Sequence, residues 1–270
     1  MEKIGFIGYG SMGSMIINGI LSSKVLHPEE VIIATRTESK LENLKKKYPE
    51  VEIAHKNIDL AQKCPKIFIF VDTGDLKGLI REINNFFMKD VHIIYISAGL
   101  SFEDVATVFS GKTSKVIPTI TSKVGEGVSL VCHSPDVNPK DVEFVDKIFG
   151  AIGDVKVINE EDLEAATNLT SCSPAFLALI LMKFAEAGSR ISGFSMQETE
   201  EMVIKTFYGT SKLLYEENMG VEDIISRVAT PGGITEEGLK VLKRDLPPVF
   251  DELFKTTIGK HEVLKKNSKS

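Results

Sequence analysis

The chain has 270 residues, 43% of them apolar and 26% charged, with a formal net charge of −6. That length fills one large core or two modest ones, and two domains are expected. The acidic balance, with no basic stripe interleaved with aromatics, argues against a nucleic-acid surface, since phosphate binding draws on a basic excess.

The opening "MEKIGFIGYG" reads as a strand (3–8), not as the charged start and long apolar stretch of a signal peptide. "EVIIATR" (30–36), "KIFIFV" (66–71), "HIIYISAG" (92–99) and "SKVIPT" (114–119) are short, rich in β-branched residues and nearly continuous in apolar character. Such runs suit parallel strands buried on both faces. The amphipathic pieces 12–23, 38–48 and 75–88 read as crossover helices; 128–132 and 154–159 read as further strands around a helix at 139–150. This alternation predicts an α/β class, a Rossmann-type doubly wound parallel sheet over residues 1–159.

From 160 to 270 the apolar residues recur at helical spacing, in 161–188, 196–217, 221–227 and 235–258, so the second domain is expected to be all-helical. The charged end "KHEVLKKNSKS" is expected to fray. The longest apolar run, "PAFLALILM" (174–182), is shorter than the roughly 20 residues of a membrane span, and no membrane association is expected. Cys64, Cys132 and Cys172 lack metal-ligand spacing and suit a reducing cytoplasm. The five histidines also lack metal spacing and are expected on the surface or in loops; no metal is expected.

"GYGSMG" (8–13) is a G-x-G-x-x-G set between the first strand and the first helix, the context that makes it a dinucleotide fingerprint. Gly8 makes the tight turn, Gly10 lets the backbone approach a pyrophosphate, and Gly13 packs helix on strand. The helix start at Ser11 and Met12 presents amides and a partial positive charge to phosphate. NAD sites place an acid at the end of the second strand. Here "ATRTESK" (34–40) has none at 34–36, and Arg36 stands between Thr35 and Thr37, which suits a 2′-phosphate. NADP(H) is therefore expected; Glu38 leaves NAD(H) open.

With these stand "YISAGLSFEDV" (95–105), "KVIPTITSKVGEGVSLV" (115–131), "TSCSPAFLALILMKFAEAG" (170–188) and "VATPGGITEEGLKVL" (228–242). Together they resemble the pyrroline-5-carboxylate reductase family, in register over almost the whole chain. The resemblance implies a Rossmann domain followed by a helical domain (160–270) that intertwines with a second chain into a homodimer or higher oligomer. It implies reduction of a cyclic imine carboxylate, pyrroline-5-carboxylate, to proline by NAD(P)H. It also implies that Ala98, Gly99 and Thr119 border the cofactor, and that the Pro-Gly-Gly loop and the following helix start bind the substrate carboxylate. Thr235 would then lie close to the imine nitrogen as the catalytic hydroxyl, with Thr230, Gly232 and Gly233 shaping the loop. The residues support such a loop independently. Gly232 and Gly233 allow backbone conformations in which amides converge, and Thr235 is placed as an N-cap.

The chain departs from the family pattern in four places. Ile117-Pro118-Thr119 replaces Met-Pro-Asn, and residues 171–176 read Ser-Cys-Ser-Pro-Ala-Phe instead of Gly-Ser-Gly-Pro-Ala-Tyr. Val71-Asp72-Thr73-Gly74 stands where Val-Lys-Pro is usual, and Glu236 and Glu237 sit in the first helical turn after the loop. These replacements resemble a divergent, ComER-like branch. They keep two alternatives open: reduction of another imine or carbonyl substrate, or a cofactor-binding regulatory protein. A 3-hydroxyacid-type dehydrogenase using Lys183 is disfavoured, because the Gly-rich stretch that precedes such a lysine is absent. Cys172 reads as structural.

Overall fold

The computed structural model describes residues 2–97 and 99–268. Two compact units are present, one of residues up to Cys172 together with those from Thr257 onward, the other Ser173–Thr256.

In the first unit the apolar runs form β1 (Ile4–Ile7), β2 (Val31–Ala34), β4 (Lys66–Ile69), β5 (His92–Tyr95), β6 (Lys112–Ile117), β7 (Gly127–His133) and β8 (Gly153–Val157), joined by a short β3 (Glu52–Ala54). They make one eight-stranded sheet in the order β3-β2-β1-β4-β5-β6-β7-β8. Side chains alternate between faces along each strand. Phe6 and Phe68 therefore stack at 4.9 Å on one side, beneath Ile16, Ile17 and Ile20 of α1 (Ser11–Ser22) and Val145, Ile148 and Phe149 of α6 (Pro139–Gly150). Ile7, Ile67 and Ile69 face the other side, against Leu60 of α3 (Asn57–Ala61) and Leu76, Ile80 and Ile83 of α4 (Thr73–Ile83). The doubly wound reading holds, with strands buried on both faces.

The sheet is mostly, not wholly, parallel: β7 runs antiparallel to β6. The link between them is short and closes through Gly125 at φ +82, whereas a parallel return needs a crossover of about a dozen residues or more. Three pieces too short for a periodicity signal also appear: β3, α3 and α5 (Phe102–Ala106).

The histidine expectation is corrected at two positions. His92 is buried and His133 half-buried. His92 Nε2 lies 2.7 Å from Ser114 Oγ, which lies 2.7 Å from His133 Nδ1, a row running across β5, β6 and β7. A sheet covered on both sides encloses even polar residues at strand ends. Burial pushes the His92 imidazole down to about 4 and also lowers that of His133. In the same unit Lys115 is buried, its Nζ 2.5 Å from Glu160, and Glu160 also accepts the Phe102 N–H at 2.9 Å.

Residues 163–172 form α7 (Leu163–Thr167) and a π-turn, Asn168–Cys172. The second unit continues with α8 (Ser173–Ile191), α9 (Met196–Tyr215), α10 (Val221–Val228) and the start of α11 (Ile234–Ser268). Helix α9 begins with a capping box, in which Ser195 and Glu198 satisfy each other's backbone N–H. Helix α11 runs on through Pro247 and Pro248, which have no N–H to offer the carbonyls four residues earlier. The charged end expected to fray is helical through Ser268.

Helices α8 and α9 pack on each other, yet only Ala185 and Thr199 are buried in Ser173–Thr256. Leu177, Leu179, Ile180 and Phe184 of α8 and Phe207 and Tyr208 of α9 stay exposed. By length and composition alone the 32-residue helical stretch Glu160–Ile191 is long and apolar enough to cross a membrane, although its longest uninterrupted apolar run is not.

Candidate active site

At the β1–α1 turn each glycine has its own steric reason. Gly8 has φ +103, and a Cβ there would meet the Phe70 carbonyl oxygen at 2.2 Å. Its N–H donates to the Ala34 carbonyl at 2.8 Å, and Phe70 N–H donates to Ile7 at 2.7 Å, so the turn is pinned between β2 and β4. A Cβ on Gly13 would meet the Gly8 carbonyl oxygen at 2.6 Å and the Phe70 ring at 3.0 Å, which fixes how closely α1 can approach the strand. Gly10 is different: nothing lies within 4 Å of a Cβ placed there. Its bare backbone faces open space at the start of α1, where the first-turn amides have no carbonyl partner within the helix. This cradle fits a dinucleotide pyrophosphate.

Two hollows flank α1. One, of about 620 Å³, is lined by Gly8, Gly10, Thr35, Arg36 and Thr37. The other, also about 620 Å³, is lined by Ser11 and Met12 with Ile120, Ser122 and Lys123. Gly99 and Thr119 line neither hollow. Gly99 packs near the methyl of Thr73, at 3.4 Å from a Cβ placed on it, and the Thr73 hydroxyl lies 3.1 Å from that of Ser97. Thr119 is buried, its hydroxyl accepting from Thr121 at 3.4 Å. Ala98, expected to border the cofactor, lies outside the described residues.

Sequence reasoning passed over several residues in the first hollow, among them Lys40, Asn57 and Asp75. Lys40 was within reach, being a cation one turn beyond Arg36. Asn57 opens α3, whose position depends on the unrecognised β3. Asp75, in the first turn of α4, forms an ion pair with Arg36 at 3.5 Å. Glu38 does not line the hollow; its Oε1 lies 2.7 Å from His55 Nδ1.

Two of the departures meet in space: the Ser171 hydroxyl donates to the Pro118 carbonyl at 3.1 Å, tying the altered 171–176 element to the altered Ile117-Pro118-Thr119 segment. Burial raises the Cys172 thiol above its ordinary value, the opposite of an activated nucleophile. Lys183 spends its ammonium on Glu186, at 3.0 and 2.9 Å.

In the second unit, α10 ends at Val228 and the chain turns through Thr230–Gly233. Gly233 N–H donates to the Thr230 carbonyl at 2.9 Å, and Gly232 takes φ +74 with open space around it. Helix α11 starts at Ile234, so Thr235 is its second residue and not its N-cap. The reason is Glu236, whose Oε2 reaches back to accept the Gly232 N–H at 2.7 Å and closes the turn one residue earlier. The two glycine amides expected to converge on a carboxylate are thus both occupied within the chain. The first amides of α11 have no carbonyl partner within the helix, and Thr235 beside them is half-buried. The two glutamates part company, since Glu237 pairs with Lys240 at 2.6 Å.

Comparison with known proteins matches two stretches of the chain to different family models. Residues 160–264 match the family model described as pyrroline-5-carboxylate reductase dimerisation, and residues 3–99 match the one described as NADP oxidoreductase, coenzyme F420-dependent. The chain is similar to pyrroline-5-carboxylate reductase 3 of Bacillus subtilis, 37% identical over 98% of this chain and 97% of that protein. It is also similar to ComE operon protein 4 of the same organism, 28% identical over 96% of this chain and 95% of that one. Among solved structures it resembles Plasmodium falciparum pyrroline carboxylate reductase with NADP bound, with a TM-score of 0.79, 26% identity, and coverage of 99% of this chain and 97% of that one. A Rossmann unit that cradles NADP(H), joined to a helical dimerisation region, thus carries its resemblance along the full length: the chain belongs to the pyrroline-5-carboxylate reductase family.

Proposed function

We propose that this protein reduces pyrroline-5-carboxylate to proline with NADPH, in the cytoplasm, as a homodimer or larger homo-oligomer. The observation that carries the reading is the 37% identity to a pyrroline-5-carboxylate reductase over 98% of the chain. The glycine cradle of the first unit and the Pro-Gly-Gly loop of the second support the reading, each by its own local geometry.

When bound, NADPH supplies the hydride that saturates the imine carbon. Gly8, Gly10 and Gly13, with the amides at Ser11 and Met12, hold the pyrophosphate, while Thr35, Arg36 and Thr37 read the 2′-phosphate. Gly99 and Thr119, with Ala98, border the nicotinamide end. The first-turn amides of α11 take the substrate carboxylate, in a loop shaped by Thr230, Gly232 and Gly233. The Thr235 hydroxyl bonds the imine nitrogen, where the electron pair of the C=N bond ends and a proton must arrive. Residues 160–270 act as the dimerisation and substrate domain. The exposed apolar faces of α8 and α9 are what a second copy would cover.

A second reading, reduction of a different imine, is favoured by Glu236. Its carboxylate sits on the loop and disfavours a second carboxylate beside it.

Purified protein should oxidise NADPH when given pyrroline-5-carboxylate. Thr235→Ala should lower kcat by about 100–10,000-fold, the usual range for losing one positioned proton-transfer group, with NADPH affinity unchanged. Tight NADPH binding without turnover on this imine would discard the proline version, and undiminished kcat in Thr235→Ala would remove Thr235 from the chemistry.

A further inference from the structure

Glu38 lies four residues past the end of β2, close to where a carboxylate serves a ribose 2′-hydroxyl and repels a 2′-phosphate. Left free, it would oppose Arg36. The structure turns it away. The wall of the hollow takes Thr35, Arg36, Thr37 and Lys40 from this stretch and omits Glu38. Instead Glu38 reaches outward to His55, in the loop between β3 and α3, at 2.7 Å. Both side chains are largely exposed, 77% for His55 and 51% for Glu38, so the fold does not need the pair for packing.

Cations are few in the wall of the hollow. Arg36 and Lys40 are the cations, and Asp75 already leans on Arg36 at 3.5 Å. Three acids of the wall already stand against these two cations, and a further acid beside Arg36 and Lys40 would deepen the negative excess. The other acids of the wall, Asp72 and Glu82, lie on the α4 side, before and beyond Asp75. Around His55, the Glu38 carboxylate and then Asp59 of α3 hold the imidazolium above its ordinary value. Glu52 and Lys63, which border the same small surface hollow as His55 and Asp59, are paired with each other at 2.6 Å.

We propose that His55 is a cofactor-specificity residue that works by position: it holds the Glu38 carboxylate away from the Arg36–Lys40 rim, keeping that rim cationic and biasing the protein towards NADPH over NADH. The inference rests on the reading of Arg36 as the 2′-phosphate partner. It assigns a role to a residue outside the cofactor hollow.

The test is titration of the full-length protein with NADPH and with NADH, followed by fluorescence. His55→Ala should shift the NADPH-to-NADH affinity ratio towards NADH by about 3–10-fold, the scale of one like charge brought within several ångströms of a phosphate near a protein surface. His55→Lys should preserve the ratio, and Glu38→Gln in the His55→Ala background should restore it. Arg36→Ala should weaken NADPH by about tenfold or more while sparing NADH. If Arg36→Ala lowers NADPH affinity but His55→Ala leaves the ratio unmoved, the role of His55 is overturned and the phosphate reading stands. A His55→Ala shift that persists after Glu38→Gln overturns the mechanism through Glu38. If Arg36→Ala leaves NADPH binding intact, the phosphate reading fails and takes this inference with it.

Discussion

The two glycine loops of this protein look alike in sequence and are built on opposite principles. The 8–13 turn is clamped by its sheet: Gly8 is hydrogen-bonded to β2 and has the Phe70 carbonyl, just past β4, where a side chain would go. The 230–235 loop has open space around Gly232 and is closed by its own side chain, Glu236. A glycine demanded by tertiary packing cannot be exchanged. A glycine demanded only by its φ angle can be, at modest cost.

Gly8→Ala is the strongest test of that contrast. A Cβ 2.2 Å from backbone oxygen must displace β1 from β4, and a loss of more than about 3 kcal/mol of stability, or failure to accumulate folded protein, is expected in thermal melts. Comparable cost at Gly232→Ala would erase the distinction. That variant should lose only about 1–2 kcal/mol, the price of a left-handed alanine, and keep NADPH binding.

Acid should find the first loop's platform before the second. Burial holds His92 near 4 and lowers His133, so the unfolded chain takes up protons before the folded one does. Stability is therefore full above about pH 6.5 and falls until His92 itself titrates, a loss on the order of 3 kcal/mol from His92 alone. Thermal midpoints measured between pH 7 and 4.5 should fall, and less steeply in His92→Gln. An equal slope in that variant would place the acid sensitivity elsewhere.

The smallest effect belongs to the loop that closes on itself. Glu236→Gln keeps a cap on Gly232 but removes the charge, and KM for the imine carboxylate should fall about 2–5-fold with kcat little changed, as expected for relief of like-charge contact at an exposed site. An unchanged KM would show that the Glu236 carboxylate does not contend with the substrate's.

Much of the candidate site was legible because its signals are local. Gly8, Gly10 and Gly13 follow from spacing, and Arg36 from its place after β2. The rest was hidden for a physical reason: a long charged side chain on a turn points wherever a distant partner lets it. Lys40 and Glu38 are two residues apart, yet one enters the hollow and the other leaves it for His55. Glu236 and Glu237 are adjacent, yet one closes the loop and the other pairs along the helix.

By itself the sequence determined what periodicity and backbone chemistry decide within a few residues: the buried strands, the helices of the C-terminal region, the glycine turns and the cation after β2. Tertiary structure alone decided the antiparallel β7, the burial of His92, the meeting of Ser171 with Pro118, and the direction of each acid beside the two loops. Those outcomes depend on contacts made across many residues of chain, where apolar pattern carries no information and charge finds its partner only after the strands have been laid side by side.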